Sequence, residues 1–260
     1  MDTVREKFRN CKRIVIKVGT STLTYDTGMI NLWRIEKLAM VISDLVNQGK
    51  EVVLVTSGAI GVGVGKLKLK EKPKSVREKQ AVAAVGQCEL MHIYSKFFSE
   101  YGHIVGQILL TGDVVEDDHR RQNVINTFET LLEKEIVPIV NENDSVAIDE
   151  IEYGENRVFG DNDTLSAIVS VLVKADLLIL LSDIEGLYNK DPNENKDAEL
   201  IHVVYGITDE IINASGNTHN DFGTGGMKTK IAAAQICHRH DIPMVIANGE
   251  NPHNINRILA

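Results

Sequence analysis

The sequence predicts an α/β protein: a three-layer α/β/α sandwich around a mainly parallel central sheet. Three observations carry this. Short β-branched, apolar runs alternate along the chain with segments whose apolar residues recur at helical spacing. Several of the runs are apolar throughout rather than alternating, as expected of strands covered by helices on both faces. Four run ends carry small polar residues: Gly19-Thr20-Ser21, Thr56-Ser57-Gly58, Asn141-Glu142-Asn143-Asp144 and Ser182-Asp183. In open parallel sheets, ligands bind at the carboxyl ends of strands. Loops are polar in any protein, which accounts for polarity there but less well for this concentration of Gly, Ser, Thr, Asn and Asp.

The elements follow in order. Residues 13–18, Arg-Ile-Val-Ile-Lys-Val, form the first strand. Leu32, Ile35, Leu38, Ala39, Ile42, Leu45 and Val46 keep helical spacing, with Asn31 as cap and Gly49 as stop. Residues 51–55 are the next strand. A long helix is expected over 75–101, a strand over 103–110, a helix over 123–134 and a strand over 136–140. A helix over 162–173 and a strand over 177–181 come next. An irregular segment then leads to a helix over 226–239 and a strand over 243–247. Residues 66–79 are rich in lysine and read as a solvated, mobile connection, and 189–199 as a second polar loop. No repeat or low-complexity tract interrupts the pattern.

With 260 residues, 43% hydrophobic and 25% charged, the composition is that of a globular protein with one large domain or two small ones. A net charge of -9 and a pI near 5.4 argue against general nucleic-acid or membrane-surface binding, which need a basic face. The lysine-rich stretch lacks the interleaved aromatics of a single-strand binder. Cys11, Cys88 and Cys237 are scattered, which suits a reducing compartment and argues against structural zinc; no protein metal site is expected. His238 and His240 read as exposed residues at a helix end, and no Ser/His/Asp or Cys/His constellation can be assembled. Charges from Asp2 onward leave no room for a signal peptide. The most apolar stretch, 167–181, is broken by Lys174 and Asp176 and is too short to span a bilayer. A cytoplasmic protein is expected.

The most informative run is Phe222-Gly223-Thr224-Gly225-Gly226-Met227-Lys228-Thr229-Lys230, opening a helix. Glycines let a backbone approach a ligand closely, a helix start offers free N–H groups, and two lysines add cationic charge. In an acidic chain this local positive spot suggests a phosphate site, although a glycine turn before an Ala-rich helix has the same outline. It is neither of two common nucleotide motifs. The G-x-x-x-x-G-K-[ST] pattern fails at Gly65-Lys66, where position 60 is Ile and position 67 is Leu; the G-x-G-x-x-G pattern fails at Gly61-Val-Gly63, where position 66 is Lys. Lys17, in an otherwise apolar strand, is an expensive charge unless an anion pairs with it or the strand is an edge facing water. Gly160-Asp161-Asn162-Asp163 opens another helix. Any one of these residues could be a cap, but three in a row exceed what capping requires. Asp163 could hold lysines in place, and Asn162 or Asp144 could bind ammonium or amide-like groups of a substrate.

This residue set resembles the amino acid kinase family. The matching segments are Ile16 to Ser21, Val55 to Ile60, Asn141 to Asp144, Phe159 to Ala167, Ser182 to Tyr188 and Phe222 to Lys230, in family order over nearly the whole chain. The Asn-Glu-Asn-Asp segment followed by Gly-Asp-Asn-Asp is particular to members that phosphorylate the side-chain carboxylate of glutamate. The resemblance implies the amino acid kinase fold as a single domain over 1–260. The part for the acidic substrate would be roughly N-terminal, and the nucleotide part roughly C-terminal. Lys17 and Lys230 would contact the phosphates, and Asp163 would orient them. Ser57, Asp144 and Asn162 would hold glutamate. Lys17, Ser182, Asp183, Thr224, Gly225, Gly226, Met227, Lys228, Thr229 and Lys230 would hold ATP, which brings its own Mg²⁺. Ser182 stands where Thr is a common occupant; the hydroxyl is kept. Many members continue into a PUA-type C-terminal domain, which is not expected here, as the sequence stops at Ala260. The expected partners are L-glutamate, ATP, proline as feedback inhibitor and further copies of the chain in a homo-oligomer. A carboxylate acceptor is ionised at pH 7 and needs no general base, which fits a chain without a credible catalytic histidine.

Overall fold

The computed structural model describes residues 2–25, 29–146, 161–190, 192, 194–208, 211–212 and 226–260. Phe159, Gly160 and the 222–225 part of the glycine-rich run, with Thr224 and Gly225, lie outside the described residues. The elements in chain order are α1 (Asp2–Arg9), β1 (Arg13–Val18), α2 (Thr20–Leu23), α3 (Leu32–Asn47), β2 (Glu51–Val55), α4 (Ala59–Leu67), α5 (Val76–Glu100), β3 (Val105–Leu110) and α6 (Asp113–Glu116). They continue with α7 (Asp118–Glu133), β4 (Val137–Glu142), α8 (Asn162–Leu172), β5 (Leu177–Ser182), β6 (Leu187–Tyr188), β7 (Leu200–Ile201), α9 (Met227–Arg239), β8 (Met244–Asn248) and α10 (Asn254–Leu259). Six strands form one sheet in the order β3-β4-β2-β1-β5-β8, with every pair parallel. The chain starts in the middle, builds outward to β3 and β4, then crosses to the other side of β1 to place β5 and β8. The carboxyl ends of β1 and β5 therefore flank a topological switch point, where such sheets leave a crevice.

The period of two in each strand separates two cores. Ile14, Ile16, Val52, Leu54, Ile139, Leu177 and Ile179 pack on α3, α4 and α5 through Ile35, Leu38, Ile42, Val62, Leu90 and Tyr94. Val15, Val53, Val55, Val140, Leu178 and Leu180 face the opposite way, against Phe128 of α7, Leu165 and Val169 of α8, and Ala233 and Cys237 of α9. Burial with no neighbouring charge pushes the Cys237 thiol up to about 12, so it packs as a small apolar group.

The expected cap at Asn31 holds, accepting from the Arg34 N–H, and the structure adds a capping box between Ser75 and Glu78 at the start of α5. Three expectations are corrected. The helix expected from 123 starts at Asp118, because Asp117 caps it by accepting from the N–H groups of His119 and Arg120. The lysine-rich stretch is largely helical at its ends, belonging to α4 up to Leu67 and to α5 from Val76, so only residues 68–75 connect the two. Helix α4 is concealed in the sequence by Gly61, Gly63 and Gly65, yet contact with α5 demands two glycines. A Cβ on Gly63 would lie 2.1 Å from the Val82 carbonyl oxygen, and one on Gly86 would lie 1.7 Å from that of Ala59. The segment expected to be irregular carries the antiparallel pair β6–β7. Among the described residues, no helix is long and apolar enough to cross a membrane.

Candidate active site

Lys17 shares its face of β1 with Val15, one residue pair away, so its side chain is directed toward the α8 layer. β1 is central, with Lys17 registered between Val55 of β2 and Leu180 of β5, which removes the reading of Lys17 as a solvated edge residue. Asp163, in the first turn of α8, meets it: Lys17 Nζ lies 2.6 Å from Asp163 Oδ1. From the first turn of α9, Lys230 Nζ lies 3.1 Å from Asp163 Oδ2. The three side chains are almost fully enclosed, at 7% (Lys17), 1% (Asp163) and 3% (Lys230) exposure. Burial pushes the Asp163 carboxyl up. The charges of Lys17 and then Lys230, with hydrogen bonds from Lys17 and Thr229, outweigh it and leave the group below its ordinary value. One carboxylate thus stands between two ammonium groups. Two buried ammonium groups that share one carboxylate are well placed to receive an incoming anion.

Two helix starts differ in what they offer. At α8, Asp161 Oδ1 accepts from the N–H groups of Asp163 and Thr164 at 2.7 and 2.9 Å. Asp161 is therefore a cap, and this helix start is filled. Burial, with the Asp163 charge adding, raises the Asp161 carboxyl against the hydrogen bonds it accepts. At α9 the cap position is Gly226, which has no side chain to give, and its carbonyl takes the Thr229 hydroxyl at 2.7 Å. Among the described residues no side chain caps the N–H groups at the start of α9, an arrangement that suits a phosphate. Lys228, two residues before Lys230, is exposed and lies on a different side of the helix. Gly226 and Met227 are half-buried at the helix start.

The remaining candidates line the other strand ends. Ser57, after β2, donates to the Val18 carbonyl at 3.1 Å and lies 3.3 Å from the Thr20 hydroxyl. Its neighbour Thr56 is paired with the buried Tyr94 hydroxyl at 2.9 Å. Asn162 Nδ2 reaches Asn141 Oδ1 at 3.4 Å, and Asn141 Nδ2 donates to Gln87 Oε1 at 2.9 Å, a string of amides from α8 across β4 to α5. Asn162 Oδ1 is buried with no hydrogen-bond partner among the described residues. Asp144 sits half-buried in the turn after β4, two strands from β1. Ser182, ending β5, donates to the exposed Asp183 at 2.9 Å, and its carbonyl receives the Gly249 N–H. Lys17, Asp163, Lys230 and Thr229 are therefore brought into direct contact. Ser57, Asn162 and Ser182 sit at neighbouring strand and helix ends, and Asp144 lies farther out. Gln87 and Tyr94 were not singled out from the sequence: they lie mid-helix in α5, where no motif marks them.

Residues 12–248 match the model of the amino acid kinase family. The chain is 60% identical to a glutamate 5-kinase of Clostridium perfringens, covering 98% of this chain and 94% of that protein. It is 58% identical to a glutamate 5-kinase of Listeria innocua, covering 96% and 90%. Among solved structures it resembles an isopentenyl phosphate kinase, with TM-score 0.65 and 17% identity over 95% of each chain. It also resembles a UMP kinase from Bacillus anthracis, with TM-score 0.62 and 16% identity over 96% of this chain and 92% of that one. At such identity these structures speak to the fold alone.

Proposed function

The chain belongs to the amino acid kinase family, and from that premise we propose that it transfers the γ-phosphoryl group of ATP to the side-chain carboxylate of L-glutamate. The products are L-glutamyl 5-phosphate and ADP, the first step of proline biosynthesis. The observation that carries this reading is the buried Lys17–Asp163–Lys230 cluster, two ammonium groups on one carboxylate at the carboxyl end of the sheet. The choice of glutamate is supported by the high identity to glutamate 5-kinases over nearly the whole chain.

The chemistry asks for little covalent help. The acceptor carboxylate, with an ordinary pKa of about 4.3, is ionised at pH 7 and attacks the γ-phosphorus without a general base. The new carboxylate–phosphorus bond forms as the bond to the β–γ bridging oxygen breaks, and ADP leaves with the electron pair. The obstacle is to align two anions and to stabilise charge spread over the phosphoryl oxygens. Lys17 from β1 and Lys230 from α9 supply cations from two sides, and Asp163 keeps both in place. The uncapped N–H groups at the start of α9, and those of Gly19 and Thr20, receive phosphate oxygens. Ser57, Asn162 and Asp144 hold the amino acid, and Asn162 Oδ1 has unused acceptor capacity for an ammonium group. Ser182, Asp183 and the 224–230 segment hold the nucleotide, so the acceptor side draws mostly on the N-terminal half and the nucleotide side on the C-terminal half.

Mg²⁺ fits this site as an ion carried by the nucleotide. Both Asp163 oxygens are engaged by lysines, and no cluster of three or more acidic, His or Cys side chains suited to a metal occurs among the described residues. When bound, Mg²⁺ neutralises charge on the β- and γ-phosphates. Feedback inhibition by proline, assembly into a homo-oligomer and a cytoplasmic location go with the same reading.

The test is ADP release from ATP-Mg²⁺ with a panel of acceptors: glutamate, aspartate, acetylglutamate, carbamate and UMP. Turnover is expected with glutamate. Turnover with UMP or acetylglutamate alone overturns the choice of acceptor.

A further inference from the structure

Thr229 precedes Lys230 in the first turn of α9, and its hydroxyl oxygen lies between two acceptors. It is 2.8 Å from Asp163 Oδ2 and 2.7 Å from the Gly226 carbonyl oxygen. The carbonyl can only accept, and so can the carboxylate, which its lysine partners keep ionised. A hydroxyl has one proton to give, and an ionised oxygen is the stronger acceptor. The proton therefore belongs to Asp163, with the Gly226 carbonyl as the alternative. A threonine bonding the backbone three residues back is an ordinary local feature of a helix start. That explains the Gly226 contact but not the contact with a buried carboxylate on another helix.

The division of labour at Asp163 gives this contact a use. Oδ1 is held by Lys17 at 2.6 Å, while Oδ2 is shared by Lys230 at 3.1 Å and Thr229 at 2.8 Å. Lys230 has two tasks, pairing with Asp163 and meeting the transferring phosphoryl group. A second donor on Oδ2 lets the ammonium lean toward the phosphoryl oxygens without leaving the carboxylate unsupported. The same hydroxyl touches the backbone at Gly226, where the glycine-rich run enters α9. We propose that Thr229 is a positioning residue of the phosphoryl-transfer site: its hydroxyl donates to Asp163 Oδ2 and frees Lys230 to follow the phosphoryl group. The proposal rests on the phosphoryl-transfer reading given above.

The test compares Thr229→Val, which keeps the β-branched shape but has no proton to donate, with Thr229→Ser, which keeps the hydroxyl. The measurements are kcat, KM for glutamate and for ATP-Mg²⁺, and thermal midpoint. A lost hydrogen bond to a charged group predicts a fall in kcat of about tenfold to a hundredfold for the valine variant. Its KM for glutamate stays near wild type, its thermal midpoint falls with the lost bond to a buried carboxylate, and the serine variant recovers both kcat and midpoint. Three results overturn the role: a valine variant as fast as wild type, a loss that serine does not restore, or a change confined to the ATP KM or to the thermal midpoint. Should the valine variant not fold, Thr229→Ala takes its place in the same comparison. A wild-type chain that releases no ADP with glutamate removes the phosphoryl-transfer reading and this role together. An active wild type matched by the valine variant removes the role of Thr229 alone.

Discussion

The Lys17 ammonium group lies 2.6 Å from Asp163 Oδ1 and joins the central strand β1 to the first turn of α8. Both ends of this pair are buried, and Lys230 completes it on the other carboxylate oxygen. Asp163 thus pairs with both cations. Replacing its carboxylate breaks two buried ion pairs at once, and Asp163→Asn should cost about 3–5 kcal/mol at neutral pH, as breaking a buried pair does. It should also abolish most turnover. The sign of the pH dependence follows from the lowered folded-state pKa of Asp163. The carboxylate's contribution is fully present above its unfolded pKa of about 3.9 and is lost as pH falls through the lower folded value. Urea unfolding of both proteins from pH 5 downward should show the stability gap between them narrowing. A gap independent of pH would mean that the pair contributes nothing to acid lability.

Asp161 and Asp163 are neighbours with opposite duties, and substitution should separate them. Asp161 caps α8 through two backbone N–H groups. Asparagine caps about as well as aspartate, whereas Asp161→Ala should lose about 1 kcal/mol. Because burial raises the Asp161 carboxyl, Asp161→Asn also removes an unfavourable buried charge and should unfold no more easily than wild type at pH 7. Equal losses for the Asn and Ala variants, measured by denaturant unfolding, would contradict the capping role.

The crossing of α4 and α5 depends on missing side chains. A Cβ at Gly86 would sit 1.7 Å from the Ala59 carbonyl oxygen, a backbone atom that cannot swing aside. Gly86→Ala should destabilise the protein by about 2–3 kcal/mol or more through overpacking. A loss below about 1 kcal/mol would show that the helices separate easily.

Asp144 lies half-buried in the turn after β4, two strands from β1, on the side assigned to the amino acid. Asp144→Ala should therefore raise the KM for glutamate well above that for ATP. Steady-state kinetics with each substrate varied in turn would decide it, and an unchanged glutamate KM would count against the assignment.

Much of this was legible in the sequence, for physical reasons. Several strands of the main sheet are apolar over most of their length because helices cover both faces, and that marks them. Lys17 stood out as a charge in an apolar strand, and Lys230 as a cation of the glycine-rich run at a helix start. The structure added what no local pattern encodes. Asp161, Asn162 and Asp163 look alike as a polar run, but one is a cap, one reaches Asn141 and one takes two lysines. Gln87 and Tyr94 stand behind the site from the middle of a long helix, and only the fold brings them to Asn141 and Thr56. Helix α4 was missed because Gly61, Gly63 and Gly65 erase the helical apolar pattern, and of these Gly63 is required by contact with α5. Thr229 had been grouped with the nucleotide segment; its contact with Asp163 depends on how α8 and α9 pack.

The most direct measurement is kcat for Lys17→Ala and Lys230→Ala, by ADP release at saturating glutamate and ATP-Mg²⁺, with folding of each variant checked by circular dichroism. Each variant should stay folded and lose at least about 3 kcal/mol of transition-state stabilisation, a hundredfold or more in rate. Folded variants that turn over at near wild-type rates would contradict the assignment of these two lysines to phosphoryl transfer.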